Sequence, residues 1–259
     1  MTEELLYDVQ DGIGTITFNR PQARNAMTFA MYERLGEICR EVETDDRVKA
    51  LLITGAGDKA FAAGTDIGQF RAFKGPDDAL AYEARIDRLL SALERCRVPT
   101  VAAIAGACTG GGAAIAAVCD LRIAAPNARF GFPIARTLGN CLSVANYARL
   151  SALIGTARVK DIIFTARLVE APEAQAIGLV SEVIAEGADL LGRAGEVART
   201  VASHAPLTLR ATKEALLRIQ EKMTPEESDD LIVSCYMSQD FQEGMDAFLN
   251  KRPPVWTGK

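Results

Sequence analysis

Ala103-Ile104-Ala105-Gly106-Ala107-Cys108-Thr109-Gly110-Gly111-Gly112-Ala113-Ala114 runs from an apolar strand through small residues into three consecutive glycines, after which apolar residues resume. Glycine allows a sharp turn and lets a ligand or another backbone come close. A helix that starts at such a turn presents unpaired N–H groups and the positive end of its dipole. Lys59-Ala60-Phe61-Ala62-Ala63-Gly64-Thr65-Asp66-Ile67 has the same character earlier in the chain. Taken singly, each stretch reads as tight packing of strand against helix. The functional alternative is a pair of turns whose amides converge on a developing oxyanion.

Neither turn suits a nucleotide. The second lacks G-x-G-x-x-G spacing, its first following acid is Asp120, and no glycine precedes Lys and Ser/Thr as in a phosphate-binding loop. The uncharged run from Val98 to Cys119 is long enough to cross a bilayer. Pro99, Thr100, Thr109 and the glycines make it read instead as strand, turn and buried helix, so no membrane partner is expected.

Outward from these turns the pattern is mixed. Leu5 to Gln10, the turn Asp11-Gly12, and Ile13 to Phe18 predict a hairpin. Met31, Leu35, Ile38, Cys39 and Val42 predict an amphipathic helix. Val48 to Thr54 predicts a buried strand, and Tyr82, Ile86, Leu89, Leu90 and Leu93 a second helix. Val98 to Ala105 and Leu121 to Ala125 predict further strands around a helix ending near Cys119. Beyond Ser143 the chain turns helical, at 143–154, 172–177, 188–203, 207–220, 225–237 and 239–250, with one strand at Leu179 to Ile184. The fold class is therefore α/β with a helical C-terminal region. The expected division is a core of residues 1–195 and a helical appendage of residues 196–259.

Composition narrows the function. With 259 residues, 49% hydrophobic and 24% charged, the chain has ordinary globular proportions, and its net charge of -5 is interspersed. It lacks the basic footprint of a nucleic-acid binder, so no nucleic acid is expected as partner. Six cysteines without a C-x-x-C pair, and an N-terminus without basic and apolar signal regions, predict free thiols and a cytoplasmic location. The single histidine, His204, precedes Pro206 closely and reads as a surface or capping residue; no metal site is expected.

Taken together, NRPQARNAM (Asn19 to Met27), KAFAAGTDI (Lys59 to Ile67), AIAGACTGGGAA with CDLRIA (Ala103 to Ala124), FGFP (Phe130 to Pro133), APEAQAIGLV (Ala171 to Val180) and QEGMDAFLNKRPP (Gln242 to Pro254) resemble the successive motifs of the crotonase (enoyl-CoA hydratase/isomerase) superfamily. The resemblance implies a spiral of ββα repeats, a helical trimerisation region, and a homotrimer or hexamer. It implies an acyl-CoA substrate, with coenzyme A as part of the thioester and no tightly bound cofactor. It assigns the oxyanion-binding amides to Thr65 and Gly111. It assigns CoA contacts to Ala62, Asp66 and Ile67 beside the adenine, Ala23 and Arg24 along the pantetheine and phosphate arm, and Phe248 and Lys251 near the 3′-phosphate, across a subunit boundary.

The chain also departs from the family. The two glutamates that hydratases of the family use as acid and base fall at Ala114 and Ile134, which move no protons. Near the second position, Pro133, Arg136 and Asn140, with Gly64 on the oxyanion turn, are the candidate substrate contacts. Arg136 suits a substrate carboxylate and Asn140 a water or carbonyl, or both brace the loop. Tyr82, Glu83 and Asp87 are expected to form a solvated helix face, the acyl pocket being their alternative. The reading is an acyl-CoA lyase or isomerase that stabilises an enolate, with the source of proton transfer unassigned. A decarboxylase and a non-catalytic acyl-CoA-binding homologue are the alternatives.

Overall fold

Asp11 and Gly12 both take positive φ, 49° and 82°, and make the two-residue turn that twisted strands prefer. The hairpin they close pairs β1 (Leu5–Gln10) antiparallel with β2 (Ile13–Phe18), from Leu5 opposite Phe18 to Gln10 opposite Ile13. The structure, a computed structural model, describes residues 3–221 and 229–257. Thr28 caps the next element, α1 (Phe29–Val42), by accepting from the Met31 N–H, and the predicted apolar stripe is buried.

Two repeats follow the same plan. In the first, β3 (Ala50–Gly55) leads to β4 (Ala60–Ala62) and α2 (Pro76–Glu94). In the second, β5 (Thr100–Ile104) leads to β6 (Ala107–Thr109) and α3 (Gly111–Val118). Next come β7 (Leu121–Ala124) and β8 (Arg129–Gly131), then α4 (Ile134–Thr137), α5 (Val144–Ile154) and α6 (Thr156–Thr165). The remainder is β9 (Val169–Glu170), α7 (Ala171–Ala176), β10 (Glu182–Val183), α8 (Leu190–Ala202), α9 (Pro206–Glu221), α10 (Asp229–Tyr236) and α11 (Gln239–Leu249). Part of the helix predicted over 225–237 lies outside the described residues.

The first strand of each repeat joins a six-stranded sheet of order β1-β2-β3-β5-β7-β10, parallel apart from the hairpin. The second joins a four-stranded sheet of order β4-β6-β8-β9. This is the expected spiral of ββα repeats. The short strands of the second sheet were not predicted as strands, because three residues show no periodicity. They matter, since the parallel strands β4, β6 and β8 end side by side and carry Gly64, Gly110 and Phe132-Pro133 to one edge.

Alternation along the large sheet sends Ile16, Phe18, Leu51 and Ile53 to one face, against Phe61, Leu35, Ile38 and Leu90. Leu52, Val101, Ala103 and Ile123 face the other way, where α8 covers them through Ala194 and Ala198. The expected division at residue 195 thus falls inside α8, a helix packed on the sheet. A third cluster, including Phe70, Leu138, Ile232, Tyr236 and Phe241, seats α10 and α11 over the loop after β4 and over α2.

Candidate active site

The two glycine turns meet. Gly64 has φ of +100° and Gly110 of +52°, conformations that favour glycine. A Cβ on Gly110 would lie 3.5 Å from the Gly64 Cα, so no side chain separates them. One residue on, a Cβ on Gly111 would lie 2.0 Å from the Tyr32 hydroxyl and 3.2 Å from Thr65 Oγ1, while one on Gly112 would strike the Ala62 carbonyl. Gly110 is thus required by its positive φ, and Gly111 and Gly112 by close approach.

Their consequence is a pair of free donors. Met27 donates to the Gly64 carbonyl at 2.8 Å and Asp66 to the Met27 carbonyl at 2.9 Å, which pins the turn on either side of Thr65. The Thr65 N–H between them, and the Gly111 N–H at the first position of α3, have no acceptor among the described residues. Both residues line one cleft of about 530 Å³. Below, the Thr65 hydroxyl shares hydrogen bonds of 2.9 Å with Tyr32 and with Tyr82. Asn25, buried at positive φ, holds the entry to this turn by donating to the Ala56 and Ala60 carbonyls.

The cleft gathers most of the residues singled out from the sequence. Ala23, Arg24, Gly64, Thr65, Asp66, Ile67, Gly111, Pro133, Asn140 and Phe248 all line it. Arg24 is exposed at its rim, and the Asp66 carboxylate is already bridged to Arg20 at 3.1 Å. Phe248 lies on the cleft of its own chain, where the expectation was a contact across a subunit boundary. Three of the expected contacts do not line the cleft of the single chain. Ala62 is fully buried beneath Gly112, and Ala63 occupies the lining in its place. Arg136 points out of the short α4 into solvent and Lys251 sits exposed beyond α11, and neither lines the cleft.

Ala114 and Ile134 form hydrocarbon walls, each nearly buried. The polar chemistry comes from α2, and the expected solvated face is overturned. Glu83 is 5% exposed and Tyr82 packs against Phe70 and Phe29. Tyr236, from α10, donates to Glu83 Oε1 at 2.5 Å and accepts from the Asn140 amide at 3.2 Å. Asn140 Oδ1 is buried without a partner. Burial pushes the Glu83 carboxyl up to about 7, against hydrogen bonding by Tyr236 that opposes the rise. Burial also raises the phenols of Tyr32, Tyr82 and Tyr236, keeping them neutral. Asp87 is tied up, accepting from Ser143 at 2.9 Å and Asn146 at 3.2 Å and pairing with Arg149 at 3.4 Å.

Tyr32 and Tyr236 had no place in the sequence reading. Tyr32 is a polar aromatic on the buried stripe of α1, one turn before Leu35, and that position was its signal. Tyr236 had none, because its partner lies 153 residues away.

Comparison with known proteins gives the family. The family model described as Enoyl-CoA hydratase/isomerase matches residues 8–259. The chain is 38% identical over 258 residues to a protein of Mycobacterium leprae named "Probable enoyl-CoA hydratase", covering 98% of each. It is 33% identical over 253 residues to the short-chain-enoyl-CoA hydratase of Clostridium acetobutylicum, covering 96% of this chain and 95% of the relative. Its fold superposes on a methylmalonyl-CoA decarboxylase with a TM-score of 0.89 at 26% identity, covering 99% of each chain. The motifs, the ββα spiral and these matches together make the chain a member of the enoyl-CoA hydratase/isomerase family within the crotonase superfamily.

Proposed function

We propose that this protein binds an acyl-CoA thioester with its carbonyl oxygen between the N–H groups of Thr65 and Gly111, and works as an isomerase or lyase through the enolate. The observation that carries the reading is the pairing of two unpartnered amides with hydrocarbon walls at Ala114 and Ile134 in one cleft. Preorganised donors aimed at developing charge contribute about 2.7–4 kcal/mol each. Hydration also requires a water activated by an acid and a base, each worth about 10²–10⁴-fold, and hydrocarbon at both positions removes that pair. Arg24, exposed at the rim, suits the phosphates of the CoA arm, with the adenine beside residues 63–67.

A decarboxylase is the second reading, favoured by the 0.89 TM-score to methylmalonyl-CoA decarboxylase. Loss of CO2 yields the enolate without a base. The exposed Arg136 does not hold the carboxylate in that scheme.

We also read residues 196–259 as the region of assembly into a homotrimer or hexamer in the cytoplasm. Leu207, Leu216 and Ile219 on α9 are 79%, 62% and 59% exposed in the single chain, which supports an apolar contact there. Among the described residues no helix is long and apolar enough to cross a membrane.

The test is turnover of crotonyl-CoA together with a structure of a CoA ester bound. Hydration should be at least ~10²-fold slower than in a two-glutamate homologue, with the thioester oxygen about 2.7–3.1 Å from both nitrogens. A kcat above roughly 10² s⁻¹, or an oxygen distant from both amides, overturns the reading.

A further inference from the structure

The cleft contains two carboxylates among its described lining residues, and they differ in kind. Asp66 caps the turn at Gly68 and is bridged to Arg20. Glu83 is buried, faces no cation, and is held at one oxygen only: Tyr236 donates to Oε1, while Oε2 makes no hydrogen bond among the described residues. A carboxyl fixed at one oxygen and unengaged at the other keeps its orientation in both protonation states. Tyr236 is in turn oriented by Asn140, which leaves its own Oδ1 unpaired at the same wall. The residue before Glu83, Tyr82, reaches the Thr65 hydroxyl at 2.9 Å, so one turn of α2 touches both the oxyanion turn and this carboxyl.

We propose that Glu83 is the catalytic acid/base of this site, moving the α-proton of the bound thioester in place of the glutamates absent at 114 and 134. The inference rests on the enolate reading above. Glu83 Oε2 takes the proton from C2; the C–H pair becomes the π bond between C1 and C2, and the carbonyl π pair moves to the oxygen between Thr65 and Gly111. The same carboxyl returns the proton, to C2 or, where a C3–C4 double bond is conjugated with the enolate, to C4. Nothing is oxidised or reduced and no co-reactant is needed. Tyr236 and Asn140 are positioning residues that aim the carboxyl.

The groups around Glu83 are Tyr236 of α10, Tyr32 of α1, Tyr147 of α5, Cys141 of the loop after α4, and Tyr82 and Asp87 of its own helix. None brings a positive charge, and Asp87 opposes ionisation. The base form therefore builds up only as pH rises through neutrality.

The experiment follows deuterium entering 3-hexenoyl-CoA from D2O by mass spectrometry, from pH 5.5 to 8.5. It compares wild type, Glu83→Gln and Glu83→Asp, with binding of the same ester measured by calorimetry and folding by melting temperature. Expected are exchange by wild type that rises with pH through about 7, a loss of at least ~10²-fold in Glu83→Gln with binding kept, and partial activity in Glu83→Asp. Exchange in Glu83→Gln within about threefold of wild type, a flat wild-type profile, or binding without any exchange overturns the role of Glu83 and leaves the CoA-ester reading standing. Failure of wild type to bind the ester overturns both.

Discussion

Replacing Gly111 by alanine tests the proposed oxyanion site at the point where its geometry is tightest. The new methyl would meet the Tyr32 hydroxyl oxygen at 2.0 Å, with Thr65 Oγ1 at 3.2 Å and the Tyr32 ring carbon behind at 3.3 Å. Tyr32 is 1% exposed and packed within the core, so it has nowhere to retreat. The first turn of α3 must move instead, and the Gly111 N–H moves with it. Displacing one oxyanion donor costs about 2.7–4 kcal/mol, or 10²–10³-fold in kcat. The clash comes from one atom, which allows a rescue. Tyr32→Phe removes that oxygen and leaves contacts of 3.2–3.3 Å, which neighbours can absorb by small shifts. Tyr32→Phe alone loses one hydrogen bond to Thr65, about 0.5–1.5 kcal/mol, while Tyr82 still holds that hydroxyl. Deuterium exchange into 3-hexenoyl-CoA should therefore fall about 10²–10³-fold in Gly111→Ala and return to within ~10-fold of Tyr32→Phe in the double variant, a strong non-additivity. Full activity in Gly111→Ala, or a double variant worse than Gly111→Ala, refutes the placement of the donor.

Thr65→Ala keeps the backbone donor and loses only the hydroxyl shared by Tyr32 and Tyr82; exchange should stay within ~10-fold of wild type, while urea unfolding shows a loss of about 1–3 kcal/mol. Arg122 is buried and caps the end of α3 by donating to the Ala116 and Cys119 carbonyls as well as to Leu179; Arg122→Leu should lower stability by about 2–4 kcal/mol in the same assay. Glu83 has a folded-state pKa of about 7 against an ordinary 4.5. The folded protein thus holds a proton that the unfolded chain releases, and stability present below about 4.5 is lost as pH rises through about 7, by roughly 3 kcal/mol. Glu83→Gln should melt with wild type at pH 4.5 and several degrees above it at pH 8; equal melting at both refutes the burial cost.

The large sheet, the hairpin and most helices were legible because their periods are long enough to show: Asp11-Gly12 names its turn, and the α1 stripe names its buried face. The second sheet was not, since β4, β6 and β8 are three residues each and their strand character exists only in pairing with one another. The two glycine turns were visible in the sequence, because their glycines are dictated by positive φ and by contacts that a side chain would block. Glu83 was hidden for the opposite reason. On α2 it follows Tyr82 and precedes Arg85 and Asp87, a charged stretch that reads as solvated. Only the arrival of α10 from 153 residues away, bringing Tyr236, turns that stretch into a wall.

Ala114, Ile134 and the state of Glu83 bear on one cleft. A glutamate at either position would add a carboxylate and its water to the cleft, raising the local dielectric and repelling charge at Glu83. Alanine and isoleucine do neither. The dominant effect on Glu83 is burial, which pushes its carboxyl up to about 7, the range the proposed acid/base role needs. In the proposed reading the same apolar walls favour the two amides, because a hydrogen bond to developing charge gains as water is excluded. Under the proposed reading, hydrocarbon at these two positions suits the cleft to holding an enolate and moving one proton rather than to activating water.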